Sequence, residues 1–167
     1  PAIHPLQSYS VAARNLARWW HSQGCTRWEE LRRRFLTLLE DQARLERMAR
    51  IIGKDAMPEA QRLTLLCAEL VNEAFLRQSA FSPVDRHCSA ARQTAMMQTL
   101  VRLFDLAGAA VAQQVSVESI RTLPVMRQLL RMGENIGEDQ LEEFEVLAGN
   151  LEAAFTELTG SKSSDAT

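Results

Sequence analysis

The sequence predicts an all-α protein, an antiparallel bundle of about six to seven helices, and three observations carry that expectation. Only seven glycines and five prolines interrupt 167 residues, so long stretches lack helix breakers. Apolar residues recur at intervals of three and four, the period of one helix face. No strict apolar–polar alternation of strand length with β-branched content occurs. Loops between consecutive segments are short, which makes neighbouring helices antiparallel.

The first helix is expected from about Ser10 to His21, capped by Ser8 or Ser10 and closed before Gly24. A second starts at Thr26, where Thr26-x-x-Glu29 fits a capping box. Its apolar stripe is Trp28, Leu31, Phe35, Leu38, Leu45, Met48 and Ile52, and Gly53 suits its C-terminal cap. About 26 residues at 1.5 Å each give a rod of about 40 Å. Pro58 fits the first turn of a third helix, which carries Leu63, Leu66, Cys67, Leu70, Val71, Ala74 and a core Phe75, and ends near Gln78. Pro83 sits in the following loop. Ser89 can cap a fourth helix with Met96, Met97, Leu100, Val101, Phe104, Ala107 and Val111 on its stripe. Short helices start at Ser116 and Pro124, and Gly133 with Gly137 break the chain. A last helix carries Leu141, Phe144, Leu147, Ala148, Leu151, Phe155 and Leu158 and stops at Gly160. Residues 1–160 therefore read as one helical domain and 161–167, small and polar, as a disordered tail.

Composition excludes several classes of function. A net charge of −2 gives no electrostatic case for nucleic acid, which normally needs a basic face. Cys25, Cys67 and Cys88 are odd in number and unpaired in spacing, so they read as reduced intracellular thiols. The histidines His4, His21 and His87 are scattered, no CxxC or HxxxH occurs, and no metal site is expected. No apolar run reaches the roughly 20 residues that span a bilayer, so no direct membrane insertion is expected. The N-terminus lacks the charged start and apolar core of a signal peptide. Pro1 stands where an initiator Met would, which points to a piece of a longer polypeptide.

Catalytic chemistry is missing. There is no G-x-x-x-x-G-K-[ST], no dinucleotide fingerprint and no Gly-rich loop. His87 and Cys88 are adjacent, so their side chains point apart and no orienting acid is implied. Glu142 and Glu143 lie about 100° apart on a helix; with Glu138, Asp139 and Glu145 they make a solvated face near its N-terminus. Arg32-Arg33-Arg34 fan over about 200° and cannot form one phosphate patch. Their stems are expected to lie beside Phe35 and Leu38, neutralised by Glu29, Glu30, Glu40 and Asp41. Trp19 and Trp20 cannot both face one core, so one is expected to be partly exposed.

Several segments, in order, carry a resemblance. They are Pro1-Ala2-Ile3, Leu6-Gln7-Ser8-Tyr9-Ser10 and Trp19-Trp20 followed by Trp28. Next come Ile51-Ile52-Gly53-x-Asp55-Ala56-Met57-Pro58-x-x-x-Arg62-Leu63-Thr64-Leu65 and Phe75-Leu76-x-Gln78-x-Ala80-Phe81-x-x-Val84-Asp85-x-x-Cys88. Val115-Ser116-Val117-Glu118-Ser119-Ile120, Leu123-Pro124-Val125 and Arg131-Met132 complete the set. Together, over roughly residues 1–135, they resemble the C-terminal helical domain of the catalytic A subunit of V/A-type rotary ATPases. The sequence departs from that family at His87, where an aromatic is usual, at His4-Pro5 and at Ser89, and reads as a divergent member.

The resemblance implies two working parts. The turn carrying Asp55, Ala56, Met57, Pro58 and Glu59 would meet the central shaft, an acidic, Pro-stiffened pusher at the end of a long helix; an ordinary helix–helix turn is the plainer account. Phe81 and His87 would wall the adenine of a nucleotide held by the preceding domain; otherwise Phe81 is core. It further implies ATP or ADP with Mg in the parent subunit but no cofactor and no catalytic residue in this stretch. The partners would be the central-stalk subunits and the B subunit, in the cytoplasm and peripheral to the membrane. The alternative is an independent helical interaction module using Met96-Met97 and Trp19-Trp20. A helical DNA-binding regulator is disfavoured by the charge.

Overall fold

The computed structural model describes residues 13–77 and 88–164. Among these residues there is no strand, and the expected all-α bundle is what forms. Its helices are α1 (Ala13–Ser22), α2 (Trp28–Ile52), α3 (Glu59–Val71), α4 (Ala90–Ala112), α5 (Val117–Arg121), α6 (Val125–Leu130), α7 (Met132–Asn135) and α8 (Glu142–Ser164). A 3₁₀ turn, Lys54–Ala56, joins α2 to α3, and a π-helical segment, Asn72–Leu76, prolongs α3. The expected caps Ser8 and Ser10, and the tail after Ser164, lie outside the described residues. The helix expected to stop at Gly160 continues to Ser164. α7 includes Gly133, where a break was expected.

The apolar stripes meet in one core. From α2 it takes Leu31, Phe35 and Leu39; from α3, Leu63, Leu66 and Leu70; from α4, Met96, Leu100 and Leu103; from α8, Phe144, Leu147, Leu151 and Phe155. Phe75, in the π segment, packs edge-on against Phe35 with centroids 5.3 Å apart at 89°. Trp20 stacks on Trp28 at 5.3 Å and 8°, while Trp19 meets Trp20 edge-on and stays 51% exposed. Met96 and Met97 are buried, so they belong to this core and not to an interaction surface. α4 is also long and apolar enough, by length and composition, to cross a membrane; its apolar side chains are the ones the bundle shares.

Local chemistry sets the helix ends. Ser89 and Ser116 cap α4 and α5 as expected, their hydroxyls accepting from the Arg92 and Ser119 N–H groups. The Thr26 capping box does not form: α2 starts at Trp28 after Arg27, with no side-chain cap. Instead Arg27 pairs with Glu30 at 3.2 Å. Glu30 is one of the acids that act on Arg34, as expected, but the main partner of Arg34 is remote in sequence. Its guanidinium grips Asp105 of α4 through two bonds, 2.6 and 3.3 Å, which also raise its pKa. Arg32 sits 5.9 Å over the Trp28 ring.

α2 and α3 are antiparallel: Phe35 meets Phe75, and Gln42, further along α2, meets Asn72, earlier in the chain. α4 and α8 run in the same direction, because α5–α7 return the chain to the start of α4. The Ser89 N–H donates to Glu138 Oε1 at 2.8 Å, and further along Arg102 Nε donates to Glu152 at 2.8 Å. Arg92, 0% exposed, completes this junction. Its Nη2 donates to the Gly133 carbonyl at 2.6 Å and its Nε to the Ile136 carbonyl at 3.0 Å. Replacing Arg92 by Ala strands two buried acceptors and opens a cavity. Urea unfolding is expected to show a loss of about 2–5 kcal/mol. Arg92→Lys is expected to recover part of it, since an ammonium lacks the planar fork.

Candidate functional site

The turn after α2 is built from both ends. Gly53 closes the helix with φ +81°, a conformation L side chains rarely adopt, and its N–H donates to the Ala49 carbonyl at 2.9 Å. Lys54–Ala56 makes one 3₁₀ turn, closed by the Met57 N–H on the Lys54 carbonyl at 3.2 Å. Met57 is extended (φ −83°, ψ 143°), as a residue before proline tends to be. Pro58, at φ −57°, leads into α3.

The five residues expected at the shaft contact part company here. Asp55, Ala56 and Pro58 are exposed. Met57 is 4% exposed and faces the interior, so its side chain holds the turn down and is not part of the outer surface. Glu59 is partly buried and turned towards α5: Oε1 accepts from Arg62 Nη1 at 2.9 Å and Oε2 from the Val117 N–H at 2.7 Å. Two residues that sequence reasoning does not assign to the site join the outer surface. Ile51 is 85% and Ile52 49% exposed. Ile52 is expected on the buried stripe, but the core ends before the helix does. The signal is the pair itself: neighbours about 100° apart on a helix cannot both lie on one narrow stripe.

Behind the turn, Gln42, Glu46, Lys54, Asp55, Glu69 and Arg121 line a polar groove of about 610 Å³. Arg121 spans it to Glu69 with two bonds, 3.0 and 3.3 Å, and that carboxylate raises the pKa of its guanidinium. Both partners are about half exposed, so the pair stabilises the fold by no more than about 1 kcal/mol.

The second expected part, Phe81 and His87, lies outside the described residues. Its flanks are held firmly. On one side the Arg77 N–H closes the π segment on the Asn72 carbonyl at 2.9 Å. On the other stands the Ser89–Glu138 bond. Cys88 is half-buried, and burial pushes the Cys67 thiol up to about 12, which keeps it protonated and unreactive at neutral pH.

The family model for the C-terminal domain of V and A type ATP synthase matches residues 17–121, more than half of the chain. The chain belongs to this family. It is 34% identical over 158 residues to the A subunit of the A-type ATP synthase of Methanopyrus kandleri, a match covering 95% of this chain and 27% of that protein. The corresponding protein of Thermococcus onnurineus gives 34% over 158 residues, covering 95% and 26%. That of Pyrococcus abyssi gives 36% over 132 residues, covering 79% and 13%. The chain thus spans about a quarter or less of the length of these relatives.

The described residues of this V/A-type domain do not fit a nucleoside triphosphate with its metal. Among them, the two glycines with positive φ, Gly24 and Gly53, follow the ends of helices, and their N–H groups are turned back onto the His21 and Ala49 carbonyls. Among them, too, no three His, Cys, Asp or Glu side chains converge as metal ligands.

The inward and outward faces of the turn separate under mutation. Met57→Ala is expected to lower the unfolding free energy by about 2–4 kcal/mol in urea titration. Asp55→Ala, on the exposed face, is expected to change it by less than about 0.5 kcal/mol.

Proposed function

We propose that this domain is the shaft-contacting, torque-coupling part of the catalytic A subunit of a V/A-type rotary ATPase. The motor couples ATP hydrolysis or synthesis to proton or sodium transport. Chemistry on ATP and Mg belongs to a part of the polypeptide outside this stretch, which alone does not hydrolyse ATP. The partners are the central-stalk subunits and the B subunit. No nucleic acid and no direct membrane insertion is involved, and the domain works in the cytoplasm, peripheral to the membrane.

One observation carries the reading. A 25-residue helix, about 37 Å long, ends in a turn whose outer face is exposed while Met57 and Glu59 pin it from beneath. A lever needs that combination of a stiff arm and an outer face open to a partner. Ile51 and Ile52 add bare apolar area beside Lys54, Asp55, Ala56 and Pro58, the mixture expected of a surface that meets another protein. Later in the sequence, on the same reading, Phe81 and His87 wall the adenine ring of the nucleotide bound elsewhere in the full-length polypeptide.

In the full-length protein within the assembled motor, replacing Lys54–Ala56 by Gly-Ser-Gly is expected to leave ATP hydrolysis largely intact. Ion transport per ATP hydrolysed is expected to fall several-fold; undiminished transport would refute the lever. Phe81→Ala in the same assembly is expected to weaken nucleotide binding by about 1–3 kcal/mol, the worth of one aromatic stacked on a base. A melting shift equivalent to about 3–5 kcal/mol would mark Phe81 as core packing instead.

A further inference from the structure

We infer that Glu59 is a positioning residue: its carboxylate, shared between the Arg62 guanidinium and the Val117 N–H, fixes the angle of the turn against α3 and α5 and does not itself meet the partner. The inference rests on the torque-coupling reading and names the element that carries load from the turn into the bundle.

Each Glu59 oxygen accepts one bond within the bundle, at 2.9 and 2.7 Å, although the side chain is 40% exposed. Charge-assisted bonds of this length are the stronger kind, and one on each oxygen fixes the orientation of the carboxylate. The Val117 N–H is one of the donors left without a partner at the start of α5. Ser116 takes the Ser119 N–H, and Glu59, remote in sequence, takes that of Val117. Only Met57 and Pro58 separate Glu59 from the 3₁₀ turn, and Pro58 is stiff. Displacement of the turn therefore reaches Glu59 with little slack. About 15 Å further along α3, Glu69 holds Arg121 at the far end of α5. Between the two ties, Val117 and Ile120 are buried in the common core. α5 is strapped to α3 at both ends, and the turn leads directly into the first of these ties.

The test uses the full-length protein in the assembled motor. Its readouts are ions transported per ATP hydrolysed and amide exchange at Val117. Glu59→Gln keeps an oxygen for the Val117 N–H and is expected to retain most of the coupling. Glu59→Ala is expected to speed exchange at Val117 about tenfold or more and to lower coupling several-fold, with hydrolysis retained. Val117→Pro removes the donor and leaves Glu59 untouched. Pro is tolerated at a first helical position, and Ser116 (φ −71°, ψ 147°) already has the conformation a proline requires before it. It is expected to reproduce the coupling loss of Glu59→Ala, and the double variant is expected to be no worse than either single one. If Glu59→Gln uncouples as strongly as Glu59→Ala while Val117 exchange stays normal, Glu59 meets the partner by charge and the inference falls. Coupling retained in Glu59→Ala but lost on replacing Lys54–Ala56 overturns the strut alone. Coupling retained on replacing Lys54–Ala56 overturns the torque reading itself.

Discussion

A guanidinium withdrawn completely from water must recover its hydrogen bonds inside the protein, and Arg92 does so on the carbonyls of Gly133 and Ile136. Desolvating such a cation costs several kcal/mol, which only well-placed acceptors offset. Carbonyls at the end of a short helix are suitable: they lack partners within the helix and carry its partial negative charge. The cation and the carbonyls of α7 thus resolve each other's deficit. The consequence is architectural. α5, α6 and α7 have five, six and four residues, too short to hold a helical shape without tertiary packing. Fastened to the first turn of α4 through Arg92 and through Glu138 on the Ser89 N–H, they bring the chain back to where α8 starts alongside α4.

Apolar burial and polar ties divide the work. The core shared by α2, α3, α4 and α8 supplies most of the stability, but hydrophobic attraction has no direction. Angles between helices are set by directional contacts at the edges: Arg34 on Asp105, Asn72 on Gln42, Glu59 on the Val117 N–H, Arg92 on two carbonyls. The exposed ion pairs among these contribute little free energy. The bonds to backbone groups differ, because breaking one strands a donor or acceptor that belongs to a helix end.

The helices were legible because their signal is local. Periodic apolar residues, a serine at each of two starts and Gly53 at an end need no knowledge of the rest of the chain. The site was legible in part. The exposure of Asp55, Ala56 and Pro58 follows from a charged, Pro-bearing turn, but the inward aim of Met57 depends on where α3 packs. Arg92 could not be read: an arginine near a helix start looks like any solvated cation until Gly133 and Ile136, over forty residues away, arrive beneath it. The capping box was a misleading local signal. Thr26 makes no cap bond, and α2 begins two residues later than Thr26 implied, after an Arg27 that pairs with Glu30. Glu59 read as an outward acid because its second partner is a backbone N–H, which no side-chain pattern announces.

On the torque-coupling reading the domain acts through shape and stiffness, and its polar residues fit that role. On that reading, the contact at the turn must be made and broken at every step of rotation, which rules out a large apolar interface of the permanent kind. Two isoleucines beside Lys54, Asp55 and a proline make a small mixed surface instead, adhesive enough to push and weak enough to let go. Such a surface transmits force only if it does not yield beneath the load. The residues that matter most for the work are then those facing inward: Met57 as the peg under the turn and Glu59 as the strut to α5. Substitutions on the outer face change how the partner is gripped, whereas substitutions beneath it change whether the grip moves anything.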